Sequence, residues 1–303
     1  MTDEGYRKAE IQRVTWVGLF VNLGLSAVKF AGGILGNSQA VVADAVHSLS
    51  DLSTDVAILF GVHYWTKPPD PEHPHGHRQA EAVVTLSIGL LLAAVATGLL
   101  WNAVVTLREQ EAASPGWIAF AAALVSIISK EILYRWTAAA GQRIRSMPLM
   151  ANAWHHRTDA LSSIPVVVAV AGAAVEPTWA FLDHLGAAVV SLFIYQAAFK
   201  IAWPTFGKLL DSGAPEEDLA RIREIALATG GVRDIHGLRT RYLGCSSLAV
   251  DLHIEVDGDL SVSRGHDIAE EVKHRLVEEG PEVQDVIVHL EPYGIMRPVD
   301  DQG

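Results

Sequence analysis

The sequence predicts an all-α six-helix transmembrane domain followed by a cytoplasmic α+β domain, on three observations. The 303 residues are 50% hydrophobic and 19% charged with a mean hydropathy of +0.24, which fits neither an ordinary soluble enzyme nor a disordered chain. Two uncharged stretches, residues 82–107 and 112–129, run 26 and 18 residues. At ~1.5 Å per residue each can cross a hydrocarbon layer of roughly 30 Å. Charge is also unevenly placed: residues 1–204 hold 13 Lys and Arg against 15 Asp and Glu, and residues 205–303 hold 10 against 20. These two regions suit different solvents, giving a membrane domain at 1–208 and a tail domain at 209–303.

The elements follow in order. Residues 14–31, interrupted only by Lys29, form the first crossing, and residues 39–65 the second, although they carry Asp44, His47, Asp51 and Asp55. The two uncharged stretches are the third and fourth. Residues 149–175 and 179–203 are the fifth and sixth, separated at Glu176-Pro177. Six crossings leave both termini on one side of the lipid bilayer. Arg7, Lys8, Arg13, Lys67, Arg78, Arg135, Arg143 and Arg145 fall on that side and only Arg108 on the other, so the positive-inside rule makes both termini cytoplasmic. The polar start lacks the short apolar core of a removable signal, so the first helix is expected to stay as an anchor.

After residue 210 the elements are shorter and more polar. Residues 216–229 carry Leu219, Ile222, Ile225 and Ala226 at helical spacing; 232–242 form a strand; 247–256 alternate Leu248, Val250, Leu252, Ile254 and Val256 on one face. A helix at 263–279 ends at Gly280-Pro281, and 283–290 is the last strand. The order αββαβ suits a ferredoxin-like or metallochaperone-like two-layer domain.

Composition also narrows the chemistry. The acidic tail offers no basic stripe for nucleic acid, so no nucleic-acid partner is expected. A single cysteine, Cys245, permits neither an intrachain disulfide nor a thiolate cluster, so any metal must be held by His, Asp and Glu. His47 and Asp51 lie four apart in the second helix, and His155 and Asp159 repeat that spacing in the fifth. Spacing of four places each pair on one helix face. An ionisable group inside a membrane costs at least ~2.5–3.5 kcal/mol unless paired or hydrated. Two readings compete: each pair is a helix-to-helix hydrogen bond or lies near the interface in water, or the four side chains share a metal. Two imidazoles and two carboxylates suit tetrahedral Zn2+ best, with cobalt and cadmium behind it, whereas Mg2+ or Ca2+ would want six or more oxygens. Asp44, Asp55, His156 and Arg157 are kept with the hydrogen-bond or interface reading, Asp44 and Asp55 as groups that cap or pair locally, with a place on an access path as their alternative. Between the second and third helices, Asp70, His73, His75 and His77 fall within eight residues, a candidate flexible metal site held extended by Pro71 and Pro74. His253 sits opposite Leu252 and Ile254 on its strand and is expected at the surface.

The sequence resembles the cation diffusion facilitator family of metal-proton antiporters. The match runs through Asn37-Ser38-Gln39-Ala40, Ala43-Asp44-Ala45-Val46-His47-Ser48-Leu49-Ser50-Asp51, His73-Pro74 and Gly76-His77, Lys130-Glu131-Ile132-Leu133-Tyr134-Arg135, and Ala153-Trp154-His155-His156-Arg157-Thr158-Asp159-Ala160. Ile235-His236-Gly237-Leu238-Arg239-Thr240-Arg241 and Val288-His289 extend it into the tail. The resemblance implies a homodimer with its transport site at His47, Asp51, His155 and Asp159 and a loop site at Asp70, His73 and His77. A tail site is implied at His236, His253, His266, His289 and Glu291, where zinc-transporting bacterial members place an Asp at the last position. Some relatives form an inter-subunit ion pair between a loop Lys and an Asp after helix six; this chain has Gln79 and Asp211, with Arg78 a candidate substitute. His47 resembles zinc-selective members, and manganese and iron members favour all-oxygen sites.

The expectation is a carrier and not an enzyme: cytosolic Zn2+ leaves in exchange for H+ by alternating access, with Zn2+ in the tail tuning activity. Cd2+, Co2+, Ni2+ or Fe2+ are the alternative cargoes. A metalloenzyme activating water at His155 and Asp159, or a membrane-anchored metal sensor, are alternatives from other classes. The connection between helices four and five lacks a His-rich insertion, which points to a bacterial inner membrane.

Overall fold

The computed structural model describes residues 3–109, 114–144 and 146–294. It forms two compact units, one comprising Met1–Ile58 and Ile88–Lys200, the other Leu59–Ser87 and Ile201–Gly303. This division differs from a boundary at 208/209, because the connection between the second and third helices groups with the tail.

The first unit is helical. Its elements are α1 (Asp3–Leu35), most of α2 (Gln39–Trp65) and of α3 (Gln79–Glu109), α4 (Trp117–Arg143), α5 (Met147–Ser162), α6 (Ile164–Val175) and most of α7 (Phe181–Leu209). The fifth crossing is one expected helix built as two, α5 and α6. Pro165, with no N–H to donate, stands just past the break at Ser163, and the chain from Asn152 to Val175 still makes one apolar span. Among the described residues, five spans are long and apolar enough to cross a membrane; α2 has the length, at 27 residues, but also three aspartates. The fourth helix starts later than residue 112, at Trp117 after Pro115-Gly116, and runs on through Lys130 to Arg143.

Small residues let these helices approach. A Cβ added at Gly32 of α1 would collide with Ala122 of α4, so the two backbones lie closer there than any larger residue allows. Ser38 and Asp183 fix the start of α2: the Asp183 carboxylate accepts from the Gln39 N–H at 2.7 Å and from the Ser38 hydroxyl at 2.5 Å.

The tail is a two-layer α+β fold. Elements α8 (Glu216–Leu227), β1 (Asp234–Leu243), β2 (Ser247–Val256), α9 (Val262–Glu279) and β3 (Val283–Pro292) follow the expected αββαβ order. The sheet order is β1-β2-β3, with β1 antiparallel and β3 parallel to β2. Ile222, Ile225, Ile268, Val272 and Leu276 of the helices bury against Val250, Leu252, Ile254 and Val256 of β2. Alternation along β2 turns Asp251, His253 and Glu255 to the face away from the helices.

Candidate metal sites

In the membrane unit, α2 and α5 meet through a buried polar network. The Lys29 ammonium of α1 lies 2.7 Å from the Asp44 carboxylate and donates to Ser48 Oγ at 2.8 Å. Asp44 also accepts from the hydroxyl of Ser163 at 2.9 Å. Lys130 of α4 lies 3.1 Å from Asp159 Oδ2 and 3.5 Å from the same Ser48 oxygen. The side chains of Lys29, Asp44, Lys130 and Asp159 are at most 8% exposed. Two opposite charges per pair, backed by hydroxyls, make such burial tolerable. Asp44 is therefore not a local cap, as its sequence suggested, but bridges α1, α2 and the α5–α6 junction. His155 Nδ1 lies 3.7 Å from Asp159 Oδ1, so the helical spacing does bring those two together. His155 is half-exposed. His47 is half-buried on α2, and among the described residues its buried Nδ1 has no hydrogen-bond partner. The Asp51 side chain, like that of Asp55, lies outside the described residues. Among the described residues, His156 is buried with both ring nitrogens unpartnered, and Arg157 donates to the Tyr134 hydroxyl of α4 at 3.2 Å, a helix-to-helix hydrogen bond.

The loop after α2 folds around Asp70. One of its carboxylate oxygens accepts the backbone N–H groups of Glu72 at 3.0 Å and His73 at 2.7 Å, a turn that aspartate builds readily. His73 Nδ1 lies 3.2 Å from that oxygen and His77 Nε2 lies 3.4 Å from the other. The two imidazoles are 4.3 Å apart, and His77 is buried edge-on against Tyr64, its Nδ1 unpartnered among the described residues. Ligand atoms of Asp70, His73 and His77 all fall within 4.8 Å of one another. His75 stays outside this trio and lines a cavity with Lys67, Arg78 and Arg241.

The His73 backbone N–H holds the Asp70 carboxyl below the usual carboxylate range. A depressed carboxyl keeps its contribution above its unfolded pKa and loses it only as pH falls through the lower folded value. The Asp70 turn should therefore survive to below pH ~4. Metal on the trio needs neutral imidazoles, so protons compete with the ion for the same lone pairs. The part of Cd2+ binding that Asp70→Asn removes is expected at neutral pH and absent at about pH 5, measured by calorimetric titration of the full chain. Retention of that part at about pH 5 would mean that the imidazoles are not ligands.

In the tail, strand register builds the site. His236 pairs with His253 across β1 and β2, and His253 with His289 across β2 and β3, making a row of three imidazoles on the face opposite the helices. Ring centroids are 4.8 Å apart for the first pair and 4.6 Å for the second. Glu291 joins them: its oxygens lie 3.0 Å from His236 Nε2, 2.8 Å from His253 Nδ1 and 3.4 Å from His289 Nε2. Burial pushes the Glu291 carboxyl up, but its hydrogen bonds with His236 and His253 outweigh this and hold it below the usual range. The ligand atoms of His236, His253 and Glu291 lie within 4.8 Å of one another. The longer glutamate thus reaches the imidazoles in place of an aspartate. His253 is half-buried in this cluster, not at the free surface expected from alternation alone. Gly237, with φ +57, bulges the strand beside it, and a Cβ there would lie 3.2 Å from the His253 ring. His266 is exposed on α9, on the other layer of the domain, and none of these contacts includes it.

Gln79 donates to the Tyr242 carbonyl at 3.1 Å and Arg78 to the Ser247 hydroxyl at 2.9 Å, so both positions considered for an ion pair with Asp211 have partners in this chain.

Residues 15–210 match the model of the cation efflux transmembrane domain, and residues 214–293 match that of the cation efflux protein, cytoplasmic domain. The chain belongs to the cation diffusion facilitator family. Metal tolerance protein C1 of Arabidopsis thaliana is 36% identical to it over 93% of the chain and 63% of that protein's length. Manganese efflux system protein MneP of Bacillus subtilis is 30% identical, over 93% of the chain and 96% of its own length. Among solved structures, the MamM CTD in a nickel form is 29% identical over 26% of the chain and 98% of its own, with a TM-score of 0.25. This cation diffusion facilitator is a divalent metal cation efflux transporter and an integral, multi-pass membrane protein.

Lys29, Ser48, Lys130, Ser163 and Glu255 are polar groups at these sites of the facilitator that sequence reasoning passed over. Glu255 is buried 3.9 Å from His236 Nε2. One of them had a signal. Lys29 and Asp44 each stand seven residues from the Gly36-Asn37 turn, so an antiparallel helical hairpin brings them to the same depth.

Proposed function

We propose that this facilitator exports Zn2+ from the cytoplasm in exchange for protons, by alternating access at His47, Asp51, His155 and Asp159. The observation that carries this reading is the facing of α2 and α5. Asp44 meets Ser163, while Ser48, farther along α2, is linked through Lys130 to Asp159, farther back along α5. The two helices therefore run antiparallel. Stepping ~1.5 Å per residue from the Asp44–Ser163 contact brings the backbone of Asp51, about 10 Å on, level with His155, about 12 Å back. His47 then comes level with Asp159. Two nitrogen and two carboxylate donors on facing levels one helical turn apart favour tetrahedral Zn2+. Protons compete with metal for the same lone pairs, which couples the two fluxes. The helices need only two packings, each opening the site to one side.

In this reading the loop and tail clusters bind Zn2+ as structural or regulatory ions, the chain acts as a homodimer in a bacterial inner membrane with both termini in the cytoplasm, and no bond chemistry is catalysed. A manganese cargo is the second reading, favoured by the similarity to MneP. Its preference for oxygen donors weighs against the two imidazoles. Purified protein in proteoliposomes with an imposed pH difference decides between them. Zn2+ uptake is expected to require the gradient and to be displaced more strongly by Cd2+ and Co2+ than by Mn2+. Uptake in which Mn2+ outcompetes Zn2+ would overturn the zinc assignment.

A further inference from the structure

We infer that Lys130 is a tethered counter-cation of the transport site: its ammonium neutralises Asp159 when the site is empty and must be displaced when a divalent ion binds. The inference rests on the transport-site reading above. Lys130 is buried, and its ammonium is 3.1 Å from Asp159 Oδ2. A divalent ion held by that oxygen at ~2.0–2.2 Å would sit against the ammonium with both like charges in a low-dielectric interior. The two cations cannot share the oxygen at full strength, so one must yield.

The surroundings indicate which one moves and where it goes. Lys29 is held by Asp44 at 2.7 Å and Ser48 at 2.8 Å, and Asp44 is itself steadied by Ser163. Lys130 has Asp159 as its close acceptor, with the Ser48 hydroxyl at 3.5 Å as a second. Its four-carbon stem can swing toward the Ser48 hydroxyl and the Asp44 carboxylate beyond, which it would share with Lys29. The empty carrier thereby keeps Asp159 charge-balanced while its helices repack inside the membrane, and the nearby positive charge weakens metal binding enough for release. Lys130 is thus a positioning and affinity-setting residue that acts through Asp159, and no part is assigned to it as a metal ligand.

The test is Zn2+ uptake into proteoliposomes by the full chain, comparing Lys130→Gln, which keeps a hydrogen-bond donor and removes the charge, with Lys130→Arg, which keeps the charge. Lys130→Gln is expected to lower the half-saturating Zn2+ concentration by about tenfold, since a factor of ten needs only ~1.4 kcal/mol of relieved repulsion. Maximal rate should fall with it, because release and return slow, and Lys130→Arg should restore both values toward wild type. A purely structural role predicts a raised half-saturating concentration and a lowered melting temperature. That result, or unchanged kinetics in Lys130→Gln, would overturn the inference. If Lys130→Gln does not fold, the double variant Lys130→Met/Asp159→Asn, which removes both charges, replaces it; restored folding with Zn2+ half-saturation unchanged from Asp159→Asn alone supports an action through Asp159, and a further change counts against it. Asp159→Ala separates the two levels. If it transports normally, the transport-site reading fails; if it is inactive while Lys130→Gln behaves as wild type, only the counter-cation fails.

Discussion

His155→Ala is expected to abolish proton-gradient-driven Zn2+ uptake, lowering the initial rate at least about a hundredfold, while leaving the melting temperature of the purified protein within a few degrees of wild type. The two halves of that expectation come from different features of the same residue. His155 contributes one of two nitrogen donors, and losing one ligand of four from a tetrahedral site removes a bond that water replaces poorly. Its side chain is 54% exposed, with Asp159 one helical turn away and the His156 ring beside it, so its truncation opens no cavity and removes no close ion pair. Asp159 keeps its ion pair with Lys130 in the variant. Uptake rates by His155→Ala near those of wild type would remove His155 from the transport site and, with it, the tetrahedral donor set on which the zinc preference rests.

The legibility of this molecule in its sequence divides along physical lines. Hydropathy found the membrane segments because an uncharged run of 18 or more residues is costly to keep in water and long enough to cross a bilayer. It misjudged their internal breaks: nothing in apolarity reports that Pro165 divides the fifth segment at Ser163. Period-two alternation located β2 to the residue, Ser247–Val256, and placed His253 on the face away from Leu252 and Ile254. Alternation says which face a residue takes and not what shares that face. The neighbours of His253 are set by register with β1 and β3, a tertiary property, and they turn an expected surface residue into part of a cluster. The loop trio was legible because its members are close in sequence and a local turn suffices to join them. The polar network around Ser48 was not, because its members come from α1, α2, α4, α5 and the α5–α6 junction. Complementary charges in separate apolar segments do not announce their partners, except where a hairpin equates their depths as it does for Lys29 and Asp44.

Lys29→Met is expected to be the most destabilising single substitution in the membrane unit, costing about 3–5 kcal/mol, because it removes one partner of a buried pair and leaves the other charge in place. The Lys29 side chain is 0% exposed and that of Asp44 1%, so no water compensates the orphaned carboxylate. The Ser163 hydroxyl donates to the other oxygen of the Asp44 carboxylate and so does not replace the ammonium. The same reasoning makes the pair replaceable. Lys29→Met/Asp44→Leu removes both charges, and its loss should be well below the single-variant value, since apolar side chains of similar volume restore packing without desolvating an ion. Chemical denaturation in detergent, followed through helix content, measures the three proteins on one scale. Equal losses for the single and double variants would show that the two residues act independently. The destabilisation would then come from lost packing around α1, and the Lys29–Asp44 pair would not be what ties α1 to α2 at the depth of the transport site.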